Sequence, residues 1–185
     1  AKEAGKARHA VFEPAMYDAI LQRLRLETDL RAAVRAPAAN GMSLVFQPIV
    51  DLATGELRSL EALLRWTHPE QGIIPPSVFV PIAEQTGAII PLGMWVLEQV
   101  CEHLRIWRTQ WWRRRRALTQ FPSVSVNISG RQLAEDDFAQ SLRDLVARHQ
   151  VPADQLLLEI TETVIMQDTE RTLLTLSELK DLGVQ

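Results

Sequence analysis

The chain of 185 residues is 46% hydrophobic and 23% charged, the balance of an ordinary globular protein long enough to bury a core. A formal net charge of −3 gives no general attraction to nucleic acid or anionic lipid, and a single cysteine, Cys101, excludes an internal disulfide framework and suits a reducing compartment. No apolar run is long enough to span a bilayer and the N-terminus is not a signal peptide, so the reading is cytoplasmic, with an anchor elsewhere in a longer parent left open.

The opening AKEAGKARHAVFEP, residues 1–14, is small, basic and polar, and reads as the tail of a preceding body. Over 15–35, apolar Met16, Ile20, Leu24, Leu30 and Val34 recur at helical spacing with charges between, and Pro14 suits a first turn. RAPAANGMS breaks that helix at Pro37 and Gly41, so 15–41 is a linker helix and loop and the main domain runs from Met42 to the end, 42–185. LVFQPIV and LRSLEALLRW then read as strands joined by the turn DLATGE. A parallel crossover needs roughly a dozen residues, so these two strands pair antiparallel. A loop around Pro69, Pro75 and Pro76 leads into a short helix ending near Gly87.

The spacing of Val96, Leu97, Val100, Leu104 and Trp107 predicts a helix over 92–107, with Met94, Trp95 and Cys101 as core or packing residues. WRTQWWRRRRALTQF, which sets Trp107, Trp111 and Trp112 beside Arg113 to Arg116, reads as a solvated loop with its tryptophans packed beneath. SVSVNIS is a strand, and Asp137 to His149 a helix with Phe138, Leu142, Leu145 and Val146 inward. QLLLEITET is another strand, and Thr169 to Leu182 a helix carrying Leu173, Leu176 and Leu179, with Gly183 placed to cap it. His68, His103 and His149 have no matched partners in the pattern and read as surface residues. Strand–helix alternation implies parallel strands flanked by helices, in an α/β barrel or an open doubly wound sheet. The units are too few for a complete eight-stranded barrel, which takes ~250 residues.

Polar residues inside these strands carry the chemistry. Glu61 in SLEALLRW, Asn127 in SVSVNIS and Glu159 in LLLEITET are oxygen donors placed near the C-terminal ends of three strands, where α/β barrels build their sites. Carboxylate and amide oxygens suit Mg²⁺, Mn²⁺ or Ca²⁺, and no Cys/His cluster offers a zinc site. Arg65 shares the strand face of Glu61, as its ion-pair partner or as a phosphate clamp. Glu162, three residues beyond Glu159, faces the opposite side of a continuous strand and suits a supporting role. Taken singly, Glu61, Asn127 or Glu159 reads more readily as a cap or turn residue than as a ligand, and Arg65 equally as a surface residue; the shared position of the three donors favours a common site.

With these residues in view, FQPIVDLATGELRSLEALLRWTHPEQGIIPPSVFVPIAEQTGAIIPLGMWVLEQVC resembles the first half of an EAL domain, the cyclic di-GMP-specific phosphodiesterase family. The naming triplet stands as Glu61-Ala62-Leu63 and continues into Leu64-Arg65, and SVNISGRQL and LLLEITETVIM match two further family motifs in order. The opening AKEAGKARHAVFEPAMYDAI is similar to the end of a GGDEF domain running into a linker helix, so 1–14 would be its tail.

The resemblance implies a modified TIM barrel with an antiparallel first strand, incomplete at the C-terminus of this chain. It implies hydrolysis of cyclic di-GMP to linear pGpG with Mg²⁺ or Mn²⁺, two ions in the complete domain activating the attacking water. Carried over by motif, Glu61, Asn127 and Glu159 are metal ligands, Arg65 and Gln47 contact the ligand, and Glu162 supports the loop over the metals, so that Glu61 and Glu162 are the catalytic pair. A complete domain goes on to an Asp-Asp-Phe-Gly-type motif and a catalytic Lys beyond Gln185, so the chain alone is expected to hold ions weakly, to be inactive alone and to form a homo-oligomer. Its implied partners are cyclic di-GMP and an upstream GGDEF domain, not a nucleic acid polymer. Two rival readings are a degenerate domain that binds cyclic di-GMP without cleaving it and a protein–protein interaction module.

Overall fold

The computed structural model describes residues 14–114, 121–160 and 169–185. Its sheet begins with a hairpin whose turn is set by one side chain. The carboxylate of Asp51 accepts from the N–H groups of Ala53 and Thr54 at 2.9 and 3.1 Å and from Arg58 at 2.8 Å, and Gly55 supplies a φ of +71°. The N–H groups of Thr54 and Ala53, with Arg58 behind them, hold the Asp51 carboxyl below the usual carboxylate range. The turn therefore joins β1 (Met42–Val50) to β2 (Leu57–His68) as an antiparallel pair, as the short connection required.

β2 then pairs parallel with β4 (Ser123–Ile128), and β4 parallel with β5 (Leu156–Ile160), giving the order β1-β2-β4-β5. The short β3 (Gly72–Ile74) lies antiparallel on the end of β2, from Trp66 to His68. At the far edge, Gln185 accepts from Leu158 N–H at 2.8 Å and donates to the Leu156 carbonyl at 3.1 Å, so the chain re-enters the sheet beside β5. This is a TIM-barrel-like α/β arrangement with an antiparallel first strand.

Alternation decides the two faces. Ala62, Val124, Val126 and Leu156 turn to the helical side, where they join Leu97, Val100, Leu104, Leu142 and Leu145 in the main core. Helix α3 (Ile89–Arg114) and helix α5 (Phe138–His149) cover that side, and α6 (Thr169–Leu182) adds Leu179. A second core joins α1 (Pro14–Arg35) and α2 (Pro76–Thr86) to the end of β2. There Leu30 packs around fully buried Trp66, which meets Phe79 edge-on at 5.7 Å and donates its indole N–H to the Asn40 carbonyl.

Several sequence expectations are corrected here. Helix α3 runs on to Arg114, so Trp107 to Arg114 is helical rather than a loop; neither Gly nor Pro interrupts it, and Arg and Gln favour helix. The rest of the Arg run falls outside the described residues. In α1 the buried stripe is Leu26, Leu30 and Ala33, while Ile20 and Leu24 are exposed. In α6, Thr172 and Thr175 are buried and Leu173 is exposed, because the helix presents that face to its neighbours.

None of the three histidines is a free surface residue. His68 is buried near Asp29, His103 bonds the Gln99 carbonyl and packs on Phe46, and His149 lies 3.9 Å from Glu98. The tail 1–13 lies outside the described residues, and among the described residues no helix is long and apolar enough to cross a membrane.

Candidate functional site

Strand register gathers the sequence-selected residues on the sheet face opposite the main core. Gln47 lies directly across from Glu61 in the β1–β2 ladder, and Asn127 directly across from Glu159 in the β4–β5 ladder. Glu61 is level with Ser125, two residues before Asn127 and so on the same face. Glu61 therefore does not occupy the same rung as the other two donors. The side chains close this offset: Asn127 Nδ2 donates to Glu61 Oε1 at 3.0 Å. Gln47, Asn127 and Glu159 are exposed, and Glu61 is half-buried.

Arg65 sits on the same face, four residues after Glu61 and opposite Ser43. Its Nη1 donates to the Leu64 carbonyl at 3.0 Å, and among the described residues no ion pair joins it to Glu61. Of the two roles open in the sequence, the structural ion pair is therefore not the one formed. Glu162 lies outside the described residues. Among the described residues no group of three His, Cys, Asp or Glu side chains forms a ready cation cage. The donor set is instead two carboxylates and one amide on adjacent strands, a hard-oxygen chemistry that fits Mg²⁺ or Mn²⁺.

Beside these strand ends opens a cleft of about 430 Å³, lined by Arg65, Asn127 and Glu159 together with one face each of α2 and α3. Sequence reading did not select its far wall. Helix α4 (Gly130–Leu133) follows Asn127 directly and begins with a reciprocal capping box. Gln132 Oε1 accepts from the Ser129 N–H at 3.1 Å and from its hydroxyl at 3.0 Å, and Gln132 N–H returns a bond to Ser129 Oγ. The signal was present in the sequence as Ser129 and Gln132 three apart, immediately after a strand. The box fixes the backbone two residues beyond Asn127, so it also fixes where the Asn127 amide stands.

The likeness to known proteins agrees with this arrangement. The family model for the EAL domain matches residues 28–185, beginning inside α1. The chain is 34% identical over 188 residues to the bifunctional diguanylate cyclase/cyclic di-GMP phosphodiesterase MucR of Pseudomonas aeruginosa, aligning over 100% of its own length and 25% of that protein. It is 35% identical over 185 residues to the cyclic di-GMP phosphodiesterase PdeR of Escherichia coli, over 100% of itself and 26% of PdeR. The chain thus spans about a quarter of the curated relatives it matches. Its structure resembles the MucR phosphodiesterase solved in complex with c-di-GMP, with a TM-score of 0.76 and 35% identity over 86% of this chain and 61% of that one. Matched over most of its length by family model and by relatives alike, the chain belongs to the EAL domain family.

Proposed function

We propose that the chain supplies the first half of a cyclic di-GMP phosphodiesterase site, which hydrolyses cyclic di-GMP to linear pGpG. The observation that carries this reading is the convergence of Glu61, Asn127 and Glu159 on one sheet face, with Arg65 on the same face and at the mouth of a cleft. MucR and PdeR, two relatives aligned over this chain's whole length, are named as cyclic di-GMP phosphodiesterases.

In this reading Glu61, Asn127 and Glu159 would hold Mg²⁺ or Mn²⁺. A divalent ion, when bound, supplies charge to the phosphoryl oxygens and lowers the pKa of a coordinated water. The chain's own side chains do the positioning. Arg65 presents a planar, always charged fork to a ligand phosphate, and the backbone carbonyl of Leu64 aims it. Asn127 holds Glu61 by one hydrogen bond and turns both oxygen-bearing groups toward the same volume. Gln47 extends the polar face onto β1, and Glu162 would brace the loop that follows β5. Residues 1–14 are read as the tail of an upstream GGDEF domain, as in a bifunctional protein.

The test is conversion of cyclic di-GMP to pGpG by the protein at its native length with Mn²⁺, beside Glu61→Ala and Asn127→Ala variants. Product formation by the wild type that falls ~100-fold or more in Glu61→Ala supports the reading, since even partners behind a metal ligand carry effects of roughly 10–100-fold. Tight binding of cyclic di-GMP with no turnover in Mg²⁺ or Mn²⁺ would replace it with the receptor reading.

A further inference from the structure

Strand β4 delivers Asn127 to the site, but a strand fixes a backbone and leaves the side chain above it to its neighbours. Asn127 is the next-to-last residue of β4 and is exposed, and its hydrogen bond to Glu61 spans a register offset of two residues. What holds the chain immediately beyond it is the cap of α4. Ser129 gives its N–H and its hydroxyl to a single acceptor, Gln132 Oε1, at 3.1 and 3.0 Å. With that acceptor removed, the Ser129 N–H loses this partner and the chain leaving β4 gains freedom to turn.

Gln132 is in turn seated by α3. It is 2% exposed, and its amide lies against Gly93: a Cβ there would stand 2.0 Å from Nε2, 2.5 Å from Cδ and 2.9 Å from Oε1. Gly93 sits inside helix α3 and is not among the positive-φ glycines, so the position requires the missing side chain and not backbone freedom. Glycine destabilises a helix interior relative to alanine, and here the room it leaves for Gln132 compensates. Reversing the amide would set Nε2 against the Ser129 N–H, donor on donor, so only one orientation suits the cap. In that orientation Nε2 has no partner among the described residues, and the shape of the α3 backbone keeps it in place.

We propose that Gln132 and Gly93 are positioning residues for Asn127 as a cation ligand: α3 seats the Gln132 amide, Gln132 fixes Ser129, and Ser129 fixes the strand end that aims Asn127 at Glu61. This inference rests on the cation reading above and adds the residues that aim one of its ligands. Neither Gln132 nor Gly93 is a donor to the ion. They act by removing freedom from a side chain that stands exposed at the end of its strand. A ligand already aimed loses less freedom when the ion arrives, and partners behind a metal ligand are worth roughly 10–100-fold in affinity. The same chain of contacts makes the placement of α3 a determinant of the cation site, although α3 supplies no ligand to it.

The experiment is calorimetric titration of the native-length protein with Mn²⁺ alone, without nucleotide, with thermal midpoints recorded for every variant. Gln132→Met keeps a side chain of similar size against Gly93 but removes the acceptor, and Gly93→Ala drives the amide from its seat. Ser129→Ala removes the cap hydroxyl at a half-buried position, Ser129→Thr restores it, and Leu145→Ala destabilises the main core away from the cap. The expected result is a Kd for Mn²⁺ roughly tenfold higher in Gln132→Met, Gly93→Ala and Ser129→Ala. Ser129→Thr and Leu145→Ala should stay within about twofold of wild type, and Gln132→Met should add less than about twofold to Asn127→Ala, since the ligand it aims is already gone. Gln132→Met and Ser129→Ala that bind Mn²⁺ as wild type does, or that weaken it equally with and without Asn127, overturn the positioning role and leave the cation reading standing. Wild type whose Mn²⁺ affinity does not depend on Asn127 overturns both.

Discussion

His68 Nε2 stands 3.3 Å from Asp29 Oδ2, while its Nδ1 accepts from the N–H groups of Glu70 and Gln71 at 3.2 Å each. An Nδ1 that accepts leaves the proton on Nε2, so one ring ties the end of β2, the turn into β3 and helix α1 together. His68→Ala removes the acceptor for two backbone donors in a buried place. It should cost about 1–3 kcal/mol in urea unfolding, whereas Asp29→Ala, which removes an exposed partner, should cost under about 1 kcal/mol. Equal costs for the two would show that the Asp29 contact, not the turn, is what His68 stabilises.

Asn127 and Glu61 give a second prediction. Asn127→Asp replaces the amide that donates to Glu61 by a like charge at the same spot. Without divalent cation the protein should melt about 2–4 °C lower, and Mn²⁺ should raise its midpoint by more than it raises that of the wild type. A Mn²⁺ response no larger than the wild type's would separate the Glu61–Asn127 pair from cation binding.

Gly41 turns the chain from the linker into β1 at a φ of +79°, and a Cβ there would meet the Thr67 carbonyl oxygen at 2.0 Å. Its own carbonyl accepts from Thr67 N–H at 2.9 Å, so the two strand ends are tied at this point. Gly41→Ala should destabilise by about 2 kcal/mol or more, from strain and collision together. The same variant should weaken cyclic di-GMP binding, since Thr67 lies two residues beyond Arg65; a fully stable Gly41→Ala would contradict the geometry.

Cys101 is fully buried, and burial, with Glu98 nearby, pushes its thiol up to about 12. The unfolded thiol ionises near ~8.5. A folded value above the unfolded one means that this contribution to stability is complete below pH ~8.5 and declines as pH rises from there toward 12. Iodoacetamide should therefore label native protein slowly even at pH ~9 and label it at once in urea. Urea midpoints of Cys101→Ala should fall less steeply between pH ~8 and ~10 than those of the wild type. Fast labelling of the native state would mean that the α3 core opens locally.

Much of the candidate site was legible before any fold was known, for a physical reason. An oxygen-bearing side chain inside an otherwise apolar strand breaks the pattern, so Glu61, Asn127 and Glu159 stand out from their neighbours. The hairpin was legible too, since six residues between two strands allow only an antiparallel return. Periodicity likewise marked α5, whose inward Phe138, Leu142 and Leu145 are all buried.

What the sequence could not carry was set by partners distant in the chain. The strand GII of β3 is too short to show a period and exists because β2 overruns its parallel neighbour. Glu61 also stands two residues short of Asn127 in the β2–β4 register, an offset no spacing rule reveals and one that a side-chain hydrogen bond closes. Glu84 and Gln132 read locally as a polar helix residue and a cap. Only the packing of α3 against both α2 and α4 brings them to one cleft, because a helix face acquires chemical meaning from the surface it meets.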